Sequence, residues 1–216
     1  MGLENQATKV AETATVRGKR EAKRLRTQDV ICRAAIACLY DAGYAETSIN
    51  CVVARAGVSK GALQHHFPTK EDLIITVAER LIERAIEVQH VSATAEPRGD
   101  DVAEYLRGTW NSLINTRSYQ ALLEILNAAR TDHNLRARLL PRLQQWNRDL
   151  GHWVVKLFEP VGPHGQDVQM IMVMSRCLMR GLVIQRLFET DPTFADRLVE
   201  RWIEIVSPLL RPREPS

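Results

Sequence analysis

Lys60, Gln64, His65 and His66 stand within seven residues of one another, on a stretch that also holds Ser59 and Gly61. These residue types suit hydrogen bonding and charge pairing. Lysine offers a cation to a phosphate, glutamine can pair bidentately with an adenine edge, and glycine leaves room for a phosphate or sugar to approach. His65-His66 could instead be half a metal site, but no carboxylate or thiol falls at ligand spacing beside it. The chain holds no P-loop, G-x-S-x-G, H-E-x-x-H or E-x-x-H pattern. No catalytic residue, metal ligand or cofactor is therefore assigned.

Four helices must position these groups. Val30, Ile31, Ala34, Ala35, Cys38 and Leu39 recur at i, i+3, i+4 spacing, which predicts a helix from about Thr27. Gly43 is placed to end it in a left-handed conformation. A short helix over about 48–56 follows, with Thr47 as expected N-cap. Its apolar face is Ile49, Val52, Val53 and Ala56, and Ala54 is small enough for a close helix crossing. Gly57-Val58 makes a tight turn. A third helix, about 59–66, buries Val58, Ala62, Leu63 and Phe67 and leaves Lys60, Gln64, His65 and His66 outward. Pro68 stops it. Thr69 and Asp72 then form a capping box that opens a long helix over about 70–93. One short helix can lie across a DNA backbone while the next enters the major groove.

The run A-R-A-G-V-S-K-G-A-L-x-H-H-F-P-x-K-E-D-L, Ala54–Leu73, resembles the TetR family of bacterial regulators, and the resemblance extends over about Thr27–Leu73. It implies a homodimer whose paired recognition helices read a palindromic operator. Ligand binding in the larger domain would change the separation of the two heads. The resemblance places phosphate contacts at Thr47, Ser59, His65, His66 and Lys70, with Lys60 and Gly61 near the groove. Gln64 departs from the family, which commonly has Tyr there, so this chain would read a base that other members do not.

Charge is unevenly placed. Residues 1–70 carry 11 Lys/Arg against 6 Asp/Glu, a net +5, in a chain of net +3; the remainder is −2. A basic head on a near-neutral body points to a polyanion. Residues 1–23 read as a basic mobile arm, and Arg24, next to the first helix, as a DNA contact. The four cysteines show no C-x-x-C spacing and are expected to be free thiols in a reducing cytosol. Met1–Arg26 has no apolar leader core, and Met170–Leu187 is broken by Arg176, Arg180 and Arg186. A cytoplasmic protein with no membrane partner is expected.

The rest shows no strand signal. Glu96-Pro97-Arg98-Gly99 reads as a loop, and helical patterns follow at about 100–115, 119–131, 133–159, 166–190 and 193–210, with Pro141 expected to kink or divide the third of these. Two helices are apolar on two sides. Met170, Met174, Cys177, Gly181, Ile184 and Phe188 make a second stripe on one; Trp202, Ile205 and Leu209 lie on the second stripe of the last. These residues are assigned to a dimer interface. Trp110, Leu126, Asn127, Arg130, Trp146, Trp153 and Met174 are candidate effector contacts, and His152 and Arg176 could add polar groups. The expected fold is all-α: an N-terminal three-helix helix-turn-helix domain over 24–84, then a helical-bundle sensing and dimerisation domain over 85–216. The expected function is a DNA-binding regulator, a repressor released from its operator by an unknown small-molecule effector. An architectural DNA-binding protein without effector, or a helical enzyme, would be the alternatives.

Overall fold

The computed structural model describes the backbone of residues 2–94, 101–162 and 167–213, and the side chains of residues 18, 20–89, 102–162 and 167–213. The Glu96–Gly99 loop lies outside the described residues. The chain divides into two compact units, Met1–Val77 and Ala78–Ser216.

In the first unit, helix α1 spans Gly2–Glu46, interrupted at Gly43. The expected arm is therefore helical backbone. The low apolar content of this segment measures its capacity to build a core. It does not measure its capacity to extend an existing helix, which needs no costly new nucleus. The segment before Thr27 has no Pro and is rich in Ala, Glu, Lys and Arg, all good helix formers. Arg24 and Glu21 form a one-turn ion pair at 2.9 Å on it. Gly43 has φ 78°, ψ 175°. Positive φ is what glycine was expected to supply, but ψ is extended, so the chain turns away more sharply than at a left-handed cap.

Helix α2, Ile49–Ala56, is capped by Ser48, which accepts from the Cys51 amide at 3.2 Å. Thr47 is not the cap. It is 1% exposed, and its hydroxyl donates to the Gly43 carbonyl at 2.7 Å. Gly57 ends α2 at φ 65°, ψ 29°, where a side chain would be strained. Helix α3, Lys60–His66, starts at Ser59, whose oxygen accepts from the Ala62 amide at 3.1 Å. The Thr69–Asp72 box opens α4, Lys70–Thr94: Asp72 N–H donates to Thr69 Oγ1 at 3.0 Å, and Thr69 N–H to Asp72 Oδ2 at 3.2 Å. Ile31, Ala35, Leu39, Val52, Leu63, Phe67, Leu73 and Ile74 form the core. The Cys38 and Cys51 thiols meet at 2.7 Å, and burial first, then Cys51, pushes Cys38 up to about 12.

The second unit continues along α4 and adds α5, Asp101–Gly108, a π-helical turn Thr109–Ile114, α6, Arg117–Ala129, α7, His133–Leu157, α8, Val168–Gln185, and α9, Phe194–Val206. Helix α7 runs unbroken through Pro141. That proline is exposed, while Leu135, Leu139, Trp146, Leu150 and Val154 are buried along the same helix. Burial of this stripe on both sides of the proline outweighs the missing hydrogen bond. A two-stranded antiparallel ribbon pairs β1, Phe158–Pro160, with β2, Leu210–Pro212. Three-residue strands are too short to show alternation, so no strand was expected there. Pro208 ends the last helix early, and Leu209 lies in a 3-10 turn. Among the described residues α8 is long and apolar enough to cross a membrane by length and composition; a third of it is buried.

Candidate nucleic-acid interface

Leu63 and Phe67 anchor α3, leaving Lys60, Gly61, Gln64 and His65 exposed together. The Ser59 oxygen is held by the Ala62 amide, which fixes the helix start and leaves the hydroxyl proton to donate outward. A Cβ built at Gly61 meets nothing within 4 Å, so this glycine leaves a gap that a sugar or phosphate can enter. His66 is half-buried. Burial, then His65 and Arg24, hold its pKa below the ordinary histidine value. Lys70 donates to the Tyr44 carbonyl at 3.1 Å and lies 4.6 Å from the centre of the Tyr44 ring. Burial lowers its pKa, partly offset by Glu46. Its ammonium is thus docked at a set position beside the end of α1.

The structure therefore brings Ser59, Lys60, Gly61, Gln64 and His65 to one exposed helix, with His66 at its edge. It does not bring Thr47 there: that side chain is buried and its hydroxyl committed. Ser48, which the sequence reading passed over, occupies the exposed cap of α2; the signal was the adjacent hydroxyl pair Thr47-Ser48. Arg24 is paired with Glu21, and its charge reaches His66. The exposed pair is worth little, so a phosphate can compete for the guanidinium.

In the second unit Trp110 is core. Its indole N–H donates to Asp196 at 2.7 Å, tying the π-helical turn to α9. Trp146 is buried and Trp153 half-buried beside one cavity with Gln89. Leu126 is half-buried, while Asn127, Arg130, His152 and Met174 are exposed and do not line three cavities formed by described residues. The structure does not gather these candidates into one site. Those assigned to an interface fall differently. Met170, Met174, Cys177, Gly181, Ile184 and Phe188 are all exposed, Met170 at 56% and Phe188 at 73%. Ile205 and Leu209 are exposed as well, while Trp202 is half-buried and donates to Ser175 Oγ at 2.8 Å. The opposite stripes, Val168, Ile171, Ser175 and Leu182 on α8 and Val199, Ile203 and Val206 on α9, are buried within the unit.

A capped helix crossing a second whose polar face is free defines a helix-turn-helix DNA-binding protein. Comparison with known proteins agrees. Residues 31–83 match the model of the bacterial regulatory proteins of the tetR family. The helix-turn-helix-type transcriptional regulator CymR of Pseudomonas putida is 28% identical over 183 residues, covering 84% of this chain and 89% of that protein. A TetR-family transcriptional regulator from Rhodococcus superposes with TM-score 0.65 at 20% identity, over 84% of this chain and 99% of that one. A regulator from Saccharomonospora viridis, solved in complex with choline, gives 0.67 at 15% identity over 86% and 98%. The head of the chain matches the tetR family over residues 31–83, the chain is similar to such regulators over most of its length, and it is a DNA-binding transcriptional regulator.

Proposed function

We propose that this protein is a cytoplasmic homodimeric repressor that occupies a palindromic operator and is released by a small-molecule effector. The observation that carries the reading is the exposed polar row on α3 above its buried Leu63 and Phe67 anchors. Such a helix presents base-reading groups to a major groove. The head is assigned to residues 24–84, and sensing and dimerisation to 85–216. The apolar stripe on α8 and the exposed residues of α9 would be covered by a second copy, since a patch so rich in Met, Ile and Phe is costly to leave in water. Two-fold pairing of heads requires a two-fold operator. The choline-bound relative supports small-molecule sensing as a class of regulation, without naming this chain's ligand. Sequencing of genomic fragments retained by the full-length protein tests the reading. A single palindromic site whose complex dissociates with a metabolite is expected. Equal retention of all duplexes, unaffected by any metabolite, would instead mean an architectural protein.

Gln64 is expected to read a base. Bidentate Gln–adenine pairing discriminates by about 1–3 kcal/mol. Gln64→Ala should relax preference at one position in each half-site and leave the others intact, measured on a panel of single-base operator variants. Uniform weakening across the panel would place the side chain on the backbone.

Operator affinity should fall steeply with salt, because each neutralised phosphate releases counterions. Deleting residues 1–23 and replacing Arg24 with Ala should flatten the plot of log affinity against log salt by roughly 0.9 for each phosphate no longer neutralised. An unchanged slope would mean that this helical extension carries its charge in solvent.

A further inference from the structure

We propose that the effector pocket of the second unit is built to take a small carboxylate with a compact apolar body, held by Arg176 and Gln89. This rests on the reading of residues 85–216 as the sensing domain. Gln89 is 3% exposed, and its Nε2 has no hydrogen-bond partner. It lines two small cavities at once, each about 10 Å³. One also meets Tyr105, Leu106, Thr109, Met172, Ser175 and Arg176. The other meets Trp146, Asp149, Leu150 and Trp153. Each has room for about one water, and the Gln89 side chain is shared by both. Displacing it would join them.

The polar groups around Arg176 can all donate, and Asp149, on the second cavity, is the one carboxylate among the described lining residues. Burial holds the Arg176 guanidinium below its usual value. The titratable groups whose fields reach it are Tyr105, Arg180, Tyr119 and Cys177, with no carboxylate among them. Arg180, one turn on, adds like charge and donates to the Tyr119 hydroxyl at 2.7 Å. Burial pushes the Tyr105 phenol up to about 12, so it stays protonated. The Trp146 indole nitrogen is buried and without a partner. Ser175 is committed, donating to the Ile171 carbonyl at 2.8 Å and accepting from Trp202. Asp149 reaches the second cavity from its exposed rim and accepts from Gln145 at 2.6 Å. Arg176 is half-buried, and a partly desolvated cation with no carboxylate among the described groups around it is unfavourable. A planar carboxylate matches the guanidinium fork and accepts from the glutamine amide as well. The walls of Leu106, Met172, Leu150 and the two tryptophans then suit an apolar body. The π-helical turn, a feature frequent at functional sites, carries Thr109 to the same cavity.

The test uses full-length protein and has two arms. First, the melting temperature of ligand-free Arg176→Met is compared with wild type. Methionine keeps an apolar stem and removes the uncompensated charge, so the variant should melt at the same temperature or higher; a lower value would mean that Arg176 is a structural partner and would overturn the proposal. Second, benzoate and hexanoate are titrated calorimetrically against their neutral counterparts, benzamide and hexanamide, with sodium chloride and sulfate alongside. At least one carboxylate should bind saturably, at least about tenfold tighter than its amide. Arg176→Met should lose that margin, and Arg176→Lys should retain part of it. Binding of neither acid, equal binding of acid and amide, or equal occupation by chloride or sulfate would overturn it. The operator-release assay is read separately. Release by neutral compounds alone would keep the repressor reading and remove this one, whereas the absence of any selective operator would remove the repressor reading.

Discussion

Replacing Gly181 with Arg is expected to weaken the proposed dimer by at least about a hundredfold, from a buried unpaired charge that costs a few kcal/mol at each copy of the substitution. The position separates association from folding. Within one chain a Cβ at Gly181 meets nothing within 4 Å, so the subunit has space for the new side chain. In the proposed dimer that space would be taken by the second copy, and Met170, Met174, Cys177 and Ile184 along the same stripe offer no counter-charge. Ile205→Arg should act alike from α9, where Ile205 is 50% exposed. Gln144→Arg, on an exposed part of α7, is the control and should change nothing. Sedimentation at micromolar concentration should give a dimer for wild type and control, and a folded monomer for Gly181→Arg. Because affinity for a two-fold operator depends on both heads being tethered, operator binding should fall with it. A wild-type monomer, or a Gly181→Arg dimer of unchanged affinity, would refute the interface.

Leu63→Ala is expected to unfold the head while sparing the body. Leu63 is fully buried and is the main apolar anchor of α3. Truncating a core leucine costs about 2–5 kcal/mol, a large share of what a small unit possesses. All four tryptophans, Trp110, Trp146, Trp153 and Trp202, lie in the second unit, so their fluorescence reports only on that unit. The fluorescence transition in urea should stay near wild type. Hydrogen exchange in residues 31–77 should speed up greatly, and operator binding should vanish. Equal protection in the variant would mean that α3 is held by contacts other than its leucine. Loss of both signals together would mean that the two units unfold as one.

The helix-turn-helix was legible because its physics is local. Gly57 needs positive φ, Ser59 caps the next helix, Leu63 and Phe67 fall one turn apart, and Thr69-Asp72 announces α4; each of these acts over four residues or fewer. The polar face of α3 follows from the same periodicity. The double stripes of α8 and α9 were equally visible, since a helix apolar on two sides must bury both. Periodicity alone does not rank the two stripes, although the Met170–Phe188 side was the one assigned to an interface. The structure buries the Val168–Leu182 side and exposes the Met170–Phe188 side, a choice made by which neighbouring helices pack on α8. Thr47 and Ser48 show the same limit on a smaller scale. Both can cap a helix, and the backbone path after Gly43 turned one hydroxyl inward and the other to the amide of Cys51.

The polar candidates of the body were beyond reach for a related reason. Asn127, Arg130 and His152 are of types that line pockets, yet they face outward, because exposure depends on where α6 and α7 sit among their neighbours. Gln89 could not be singled out at all. It lies on a helix with many polar residues, and only the packing around α4 left it buried with an unpartnered amide nitrogen. The sequence by itself determined the helices of the head, the caps at Ser59 and Thr69, and the resemblance to a family, since these follow from interactions a few residues apart. Only the tertiary structure decided which apolar face was left open and where Arg176 lost part of its water with no carboxylate near it among the described residues, because burial is a property of what the rest of the chain places nearby.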